Sequence, residues 1–177
     1  MSTRRIVEML VACIAVTGVG AGCAPTPAHS DVVLCDRGSA VVEVTPGIRF
    51  ESGPNDLALS APTETVACYD YTGSGVTTAR FDQLEVSFPS ISCAGGPGVN
   101  GAGSAVISWS DGSTSQADLS IELDGMLSGT IDLVVTSGNF EGYRGEVELL
   151  ASPAAGDCLL GITAEQVDLG WVFLVAT

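Results

Sequence analysis

From Ser115 to Leu123 the chain alternates without a break: Ala117, Leu119, Ile121 and Leu123 on one parity, and Asp118, Ser120 and Glu122 on the other. A period of two belongs to a half-buried strand and cannot present one apolar face on a helix. The stretch 81–93 repeats the pattern with Leu84, Val86 and Phe88. Similar runs occupy 40–50, 63–71, 126–137, 140–151 and 164–177, with Gly, Ser, Pro, Asn or Asp between them. Short strands at this spacing, with no convincing amphipathic helix, predict an all-β chain: an antiparallel β-sandwich or barrel. Three details of the connections follow. The glycine-rich stretch 94–103 is expected to be a flexible loop, 126–137 and 140–151 to be joined through Gly138-Asn139, and 164–177 to form one final strand.

The hairpin around "ISWSDGST" (107–114) can be placed by register. A two-residue loop at Asp111-Gly112 would pair Trp109 with Thr114 and send Trp109 and Ile107 away from the Leu119/Ile121/Leu123 stripe. A three-residue loop, 110–112, pairs Trp109 with Ser113, Ile107 with Ser115 and Ala105 with Ala117, which places the large apolar residues together, Val106 excepted. A slip of one residue flips every side chain, so burial selects the longer loop. That loop also needs a left-handed residue at its third position, which is Gly112. The expectation is a type I turn with a G1 bulge and a buried Trp109.

The first 28 residues read as an export signal, with Arg4 and Arg5 ahead of an 11-residue apolar stretch, Met9 to Val19. That stretch is too short for a permanent membrane span. Two processing routes stay open: acylation of Cys23, which ends the lipobox-like "VGAGC", or cleavage after Ala28. Residues 29–177 then form a single domain. Of the six cysteines, Cys13 and Cys23 belong to the signal, and Cys35, Cys68, Cys93 and Cys158 remain. An even set in an exported chain predicts two disulfides. Cys35–Cys68 with Cys93–Cys158 is the favoured pairing, because each bond ties sheet segments without threading a loop.

The chain has no lysine, and without residues 1–28, which hold Glu8, Arg4 and Arg5, it keeps 20 acidic residues against four arginines, a net charge of −16. Such a surface repels phosphate backbones and anionic lipid, so a nucleic-acid partner is excluded and membrane association is expected only through an anchor at Cys23. The only histidine, His29, lies at the processing junction, which leaves no usual general base for a serine or cysteine nucleophile. No Walker loop, zinc spacing or D-x-D-x-D-G calcium loop occurs, so no catalytic residue, cofactor or metal is assigned. Acidic residues are numerous, but none stands out as a hydrolase pair. The aromatics Trp109, Tyr69, Tyr71, Phe140, Tyr143 and Trp171 are expected to fill a core otherwise rich in small side chains. Tyr69, Tyr71 and Tyr143 are the candidates for a ligand platform should they face solvent.

The segments "TPGIRF" after Cys35, "SISC", "GAGSAVISWSDGSTS" and "VTSGNFEGYRGEV", with the late Cys158, carry a resemblance to small secreted or lipid-anchored all-β proteins of actinobacteria. The resemblance spans about residues 35–175; it implies an all-β domain with conserved cysteines and brings no catalytic residue, since that group has no assigned activity. The expected function is therefore that of a non-enzymatic, exported β-domain that binds an envelope or extracellular partner. A carbohydrate-binding module using the exposed tyrosines is the alternative, and a carboxylate-dependent hydrolase the second.

Overall fold

Alternating burial along each apolar run produces eleven strands in a computed structural model that describes residues 31–94, 97–125 and 128–177. They are β1 (Val32–Cys35), β2 (Gly38–Ile48), β3 (Gly53–Leu59), β4 (Val66–Asp70), β5 (Thr78–Ile91), β6 (Pro97–Trp109), β7 (Thr114–Asp124), β8 (Ser128–Gly138), β9 (Tyr143–Asp157), β10 (Gly161–Leu169) and β11 (Val172–Ala176). The export signal, Cys23 and His29 lie outside the described residues. All pairings are antiparallel within a single sheet, and the pairing closes: β5-β6-β7-β8-β9-β10-β2-β3 returns to β5. A second path joins β9 to β5 through β11, β1 and β4.

Two long strands make both paths compatible. In β9, residues 143–146 pair with β11 and residues 149–157 with β10. In β5, Thr78 and Ala79 pair with β4, while Glu85 to Ile91 pair with β3. Strands β6, β7 and β8 thus form one continuous wall. The wall opposite is built in two storeys, a lower one of β3-β2-β10 and an upper one of β4-β1-β11. The expected single strand over 164–177 is corrected by this division: it breaks at Gly170-Trp171 so that its halves serve different storeys, and Gly170 N–H donates to Glu148 O at 2.8 Å.

Two further expectations are corrected. The stretch 94–103 is not a loop throughout, because β6 begins at Pro97 and pairs along β7. Its glycines answer close approach rather than flexibility: a Cβ on Gly103 would stand 1.9 Å from Glu85 O, and one on Gly101 would stand 2.6 Å from the Phe88 ring. The connection after β8 is also longer than Gly138-Asn139, running to Gly142. Phe140 takes a φ of +62° there, a left-handed conformation that a bulky residue seldom adopts. It stays because its ring is buried, edge-on to Trp109 at 4.9 Å and to Tyr143 at 5.4 Å.

The β6–β7 hairpin has the register that burial demands. Trp109 N–H donates to Ser113 O at 3.0 Å, Ile107 lies opposite Ser115 and Ala105 opposite Ala117. Gly112 has a φ of +83° and its N–H donates to Trp109 O, which builds the three-residue loop. Trp109 is 5% exposed, and its indole N–H donates to Ser115 Oγ at 2.8 Å. Ser115 Oγ in turn donates to Asn139 O. Both disulfides join the favoured partners, Cys35 with Cys68 and Cys93 with Cys158. The first links directly opposite residues of β1 and β4, and the second ties the end of β5 to the β9–β10 tip.

Candidate functional site

The upper storey carries apolar side chains on both of its faces. Val33, Cys35, Cys68 and Leu174 point inward and are buried. Period two then sends Val32, Leu34, Tyr69, Phe173 and Val175 outward. Register collects them: Leu34 lies opposite Tyr69 on one side and Phe173 on the other, and Val32 lies opposite Val175. Tyr71 extends the patch, its N–H donating to Val32 O at 3.0 Å. Tyr69 is 51% exposed, Tyr71 53%, Phe173 51% and Trp171 39%.

These exposures correct the expectation that all six of the named aromatics fill the core. Trp109, Phe140 and the half-buried Tyr143 do pack inside, whereas Tyr69, Tyr71 and Trp171 face solvent. The core is filled by aliphatic side chains from all the walls, so it does not need them. Of the three candidate tyrosines, Tyr69 and Tyr71 come together and Tyr143 does not join them. Tyr143 shares its parity with Gly145 and Val147, packs on Phe140, and has its hydroxyl pKa pushed up by burial and by the charges of Asp31 and Asp70. Sequence reading missed Leu34 and Phe173 as members of the face. The signal available was the apolar content of both parities in "VVLC" and "WVFLV".

With two strand spacings between them, Tyr69 and Phe173 stand about 10 Å apart across Leu34. Beyond Phe173 the face turns polar: Glu146 lies opposite Phe173 on β9, and Arg144 opposite Val175. Trp171, Phe173, Glu146 and Glu148 line an open depression of about 380 Å³. A row of flat apolar rings therefore ends in two carboxylates that can accept hydrogen bonds. An apolar face of this kind is rarely left bare on a soluble domain unless something binds it.

The turn after β4 fixes the Tyr71 end of the row. Burial alone would raise the Asp70 pKa, but its carboxylate accepts hydrogen bonds from Thr72 N–H and Oγ1, Gly75 N–H and Ser74 Oγ, which bring it down to about 2. A depressed carboxyl contributes stability that is present above its unfolded pKa and lost as pH falls through the folded one. Asp70→Asn is therefore expected to cost about 1 kcal/mol at pH 6, allowing for solvent screening, and close to nothing near pH 2. Urea unfolding of both proteins at the two pH values checks this; an equal cost at both would refute it.

One carboxyl is unlike the rest. Glu165 is 4% exposed, Oε1 has no hydrogen-bond partner among the described residues, and burial pushes its pKa above the usual carboxylate range. Among the described residues Glu165 is the one acid that lines its cavity. Among the described residues no three His, Cys, Asp or Glu side chains group to hold a metal ion. Compared with protein-family models, with curated proteins and with solved structures, the chain matches none.

Proposed function

We propose that this protein is an exported, non-catalytic binding domain of the cell envelope whose recognition surface is the outer face of β4-β1-β11, and that this surface takes a glycan chain. The observation that carries the reading is the row of exposed Tyr69, Phe173 and Trp171 with the half-buried Leu34 between Tyr69 and Phe173, and with Glu146 and Glu148 at its end. Sugar rings present C–H faces that stack on aromatic side chains, and their hydroxyls donate to carboxylates. The separation of Tyr69 from Phe173 suits two contacts along an extended chain. The net charge of −16 favours a neutral or amino-sugar polymer over a polyanionic one. Export fits the basic and apolar N-terminal segment and the two disulfides, which need an oxidising compartment. Retention at the membrane through an acylated Cys23 would hold this face beside the wall.

The test is affinity electrophoresis of the mature exported protein through gels containing β-1,4-glucan, chitin-type oligosaccharide or peptidoglycan glycan strands. Retardation by at least one glycan is expected. Tyr69→Ala and Phe173→Ala should each weaken that binding by about tenfold or more, as truncation of a stacking anchor does, without changing the melting temperature. Binding that survives both substitutions, or no retardation by any glycan, would refute the reading.

A further inference from the structure

Behind the lower storey the ring encloses a cavity of about 60 Å³, walled by aliphatic and aromatic side chains including Val42, Leu57, Phe88, Leu123 and Ile131. Among the described residues Thr63 and Glu165 are its only polar lining residues. A second cavity of about 40 Å³ adjoins it, with Thr63, Phe81 and Leu169 common to both. This second space lies where the two storeys part, and its outer lining is Asp36, Glu64 and Arg80. Thr63, Phe81 and Leu169 therefore stand between the space at the gap and the space that holds the Glu165 carboxyl.

We infer that this pair of adjoining cavities is a second binding site, independent of the outer aromatic face, for a slender aliphatic molecule ending in a hydroxyl group that hydrogen-bonds Glu165. The position of Glu165 is built rather than incidental. Register shifts in β10 between Ile162 and Ala164 and between Ala164 and Glu165 set the parity so that Glu165, Val167 and Leu169 line the cavity together. Bulges re-aim side chains in this way and cluster beside functional sites. A carboxyl in such a cage costs free energy unless something hydrogen-bonds it, and an aliphatic side chain would pack there at no such cost.

The surroundings select the head group. The charged residues lining the two cavities are Asp36, Glu64, Arg80 and Glu165, and Arg80 is already paired with Asp82 at 2.7 Å. Among the described residues no cation lines the Glu165 cavity, and burial favours the neutral form, in which a carboxyl both donates to and accepts from a hydroxyl. An ammonium group would require an ionised carboxylate and the desolvation of two charges in a cage with one other polar residue. Size selects the body. The space exceeds the roughly 10–15 Å³ that one water needs but falls well short of the roughly 300 Å³ of a drug-sized site, which suits an unbranched chain.

The test uses the exported protein carrying Trp171→Phe, so that Trp109, which lines the outer cavity, is the only tryptophan. It is titrated with 1-hexanol, n-hexane and hexylamine, read by Trp109 emission and by thermal unfolding. Saturable binding of 1-hexanol, about tenfold tighter than hexane, is expected. Glu165→Leu should melt higher than its parent and bind the two alike, whereas Glu165→Gln should retain the preference for the alcohol. The inference is overturned if no probe saturates, if 1-hexanol acts equally on the parent and Glu165→Leu, or if hexylamine binds best. Should Glu165→Leu fail to fold, the alcohol-over-hexane preference of the parent and of Glu165→Gln decides the matter. Trp109 emission and the Glu165 substitutions report on the cavities and not on the outer face, so glycan binding stands or falls separately.

Discussion

Trp109→Ala is expected to destabilise the protein by about 4 kcal/mol, lowering the melting temperature by about 8–16 °C for a domain of this size. Three losses add. The substitution empties a buried volume at the end of the β6–β7 hairpin, where Trp109 is 5% exposed. It removes the indole N–H that donates to Ser115 Oγ, a hydroxyl that is itself buried and committed to Asn139 O. It also withdraws the edge contact that holds Phe140 at a φ of +62°, a conformation whose strain only packing can sustain. Trp109→Phe separates the terms: it keeps much of the ring and loses the hydrogen bond, at about 1–2 kcal/mol. Urea midpoints measured at constant m-value check both. A cost below about 1 kcal/mol for alanine would mean that Trp109 is solvated, as a two-residue turn would make it.

That hairpin was readable from sequence because its two strands have unlike faces. Once Leu119, Ile121 and Leu123 must be buried, one register alone buries Ile107 and Trp109 with them, and Gly112 falls where the turn needs it. The cysteine pairing was readable for a different reason, since each favoured bond ties sheet segments without threading a loop, as Cys35–Cys68 and Cys93–Cys158 do. Where both parities are apolar the same logic has nothing to grip. In β1 and β11 every position from Val32 to Leu34 and from Val172 to Val175 is hydrophobic, so period two cannot say which side faces water. Leu34 and Phe173 of the aromatic face lie there, whereas Tyr69 and Trp171 are expected inside because a core rich in small side chains needs their volume. Glu165 is an intermediate case. Its parity with Val167 and Leu169 is visible in "EQVDL", but the direction of that parity depends on register shifts against β2 and β9 that no local pattern records. The glycines of β6 hide in a third way: Gly101 and Gly103 resemble loop residues locally, and only the approach of Phe88 and of the β5 backbone shows why a strand needs them.

Replacing both cysteines of either disulfide with serine should cost about 4 kcal/mol, yet the two pairs should differ in what they do to binding. The cost follows from loop closure in the unfolded chain: separations of 33 and 65 residues differ too little on a logarithmic scale to separate the bonds thermodynamically. Their places in the fold differ more. Cys93 and Cys158 staple turn regions at the end of the lower storey, remote from Tyr69 and Phe173. Cys35–Cys68 crosses the strands that carry the outer aromatic face, where the ladder is thin: three residue pairs join β1 to β4, and two join β4 to β5. Local opening draws on such weakly tied elements, so Cys35→Ser/Cys68→Ser should lose amide protection first in β4 and β1. Its glycan affinity should fall under conditions in which the rest of the ring is still folded. Cys93→Ser/Cys158→Ser, at the same distance from its own melting point, should bind as the parent does. Hydrogen exchange followed strand by strand, with glycan retardation measured on the same samples, decides between this and a uniform loosening. Equal loss of protection in β4 and β7 would show that the upper storey has no separate stability, and that Tyr69 and Phe173 are held by the whole ring rather than by the bond beneath them.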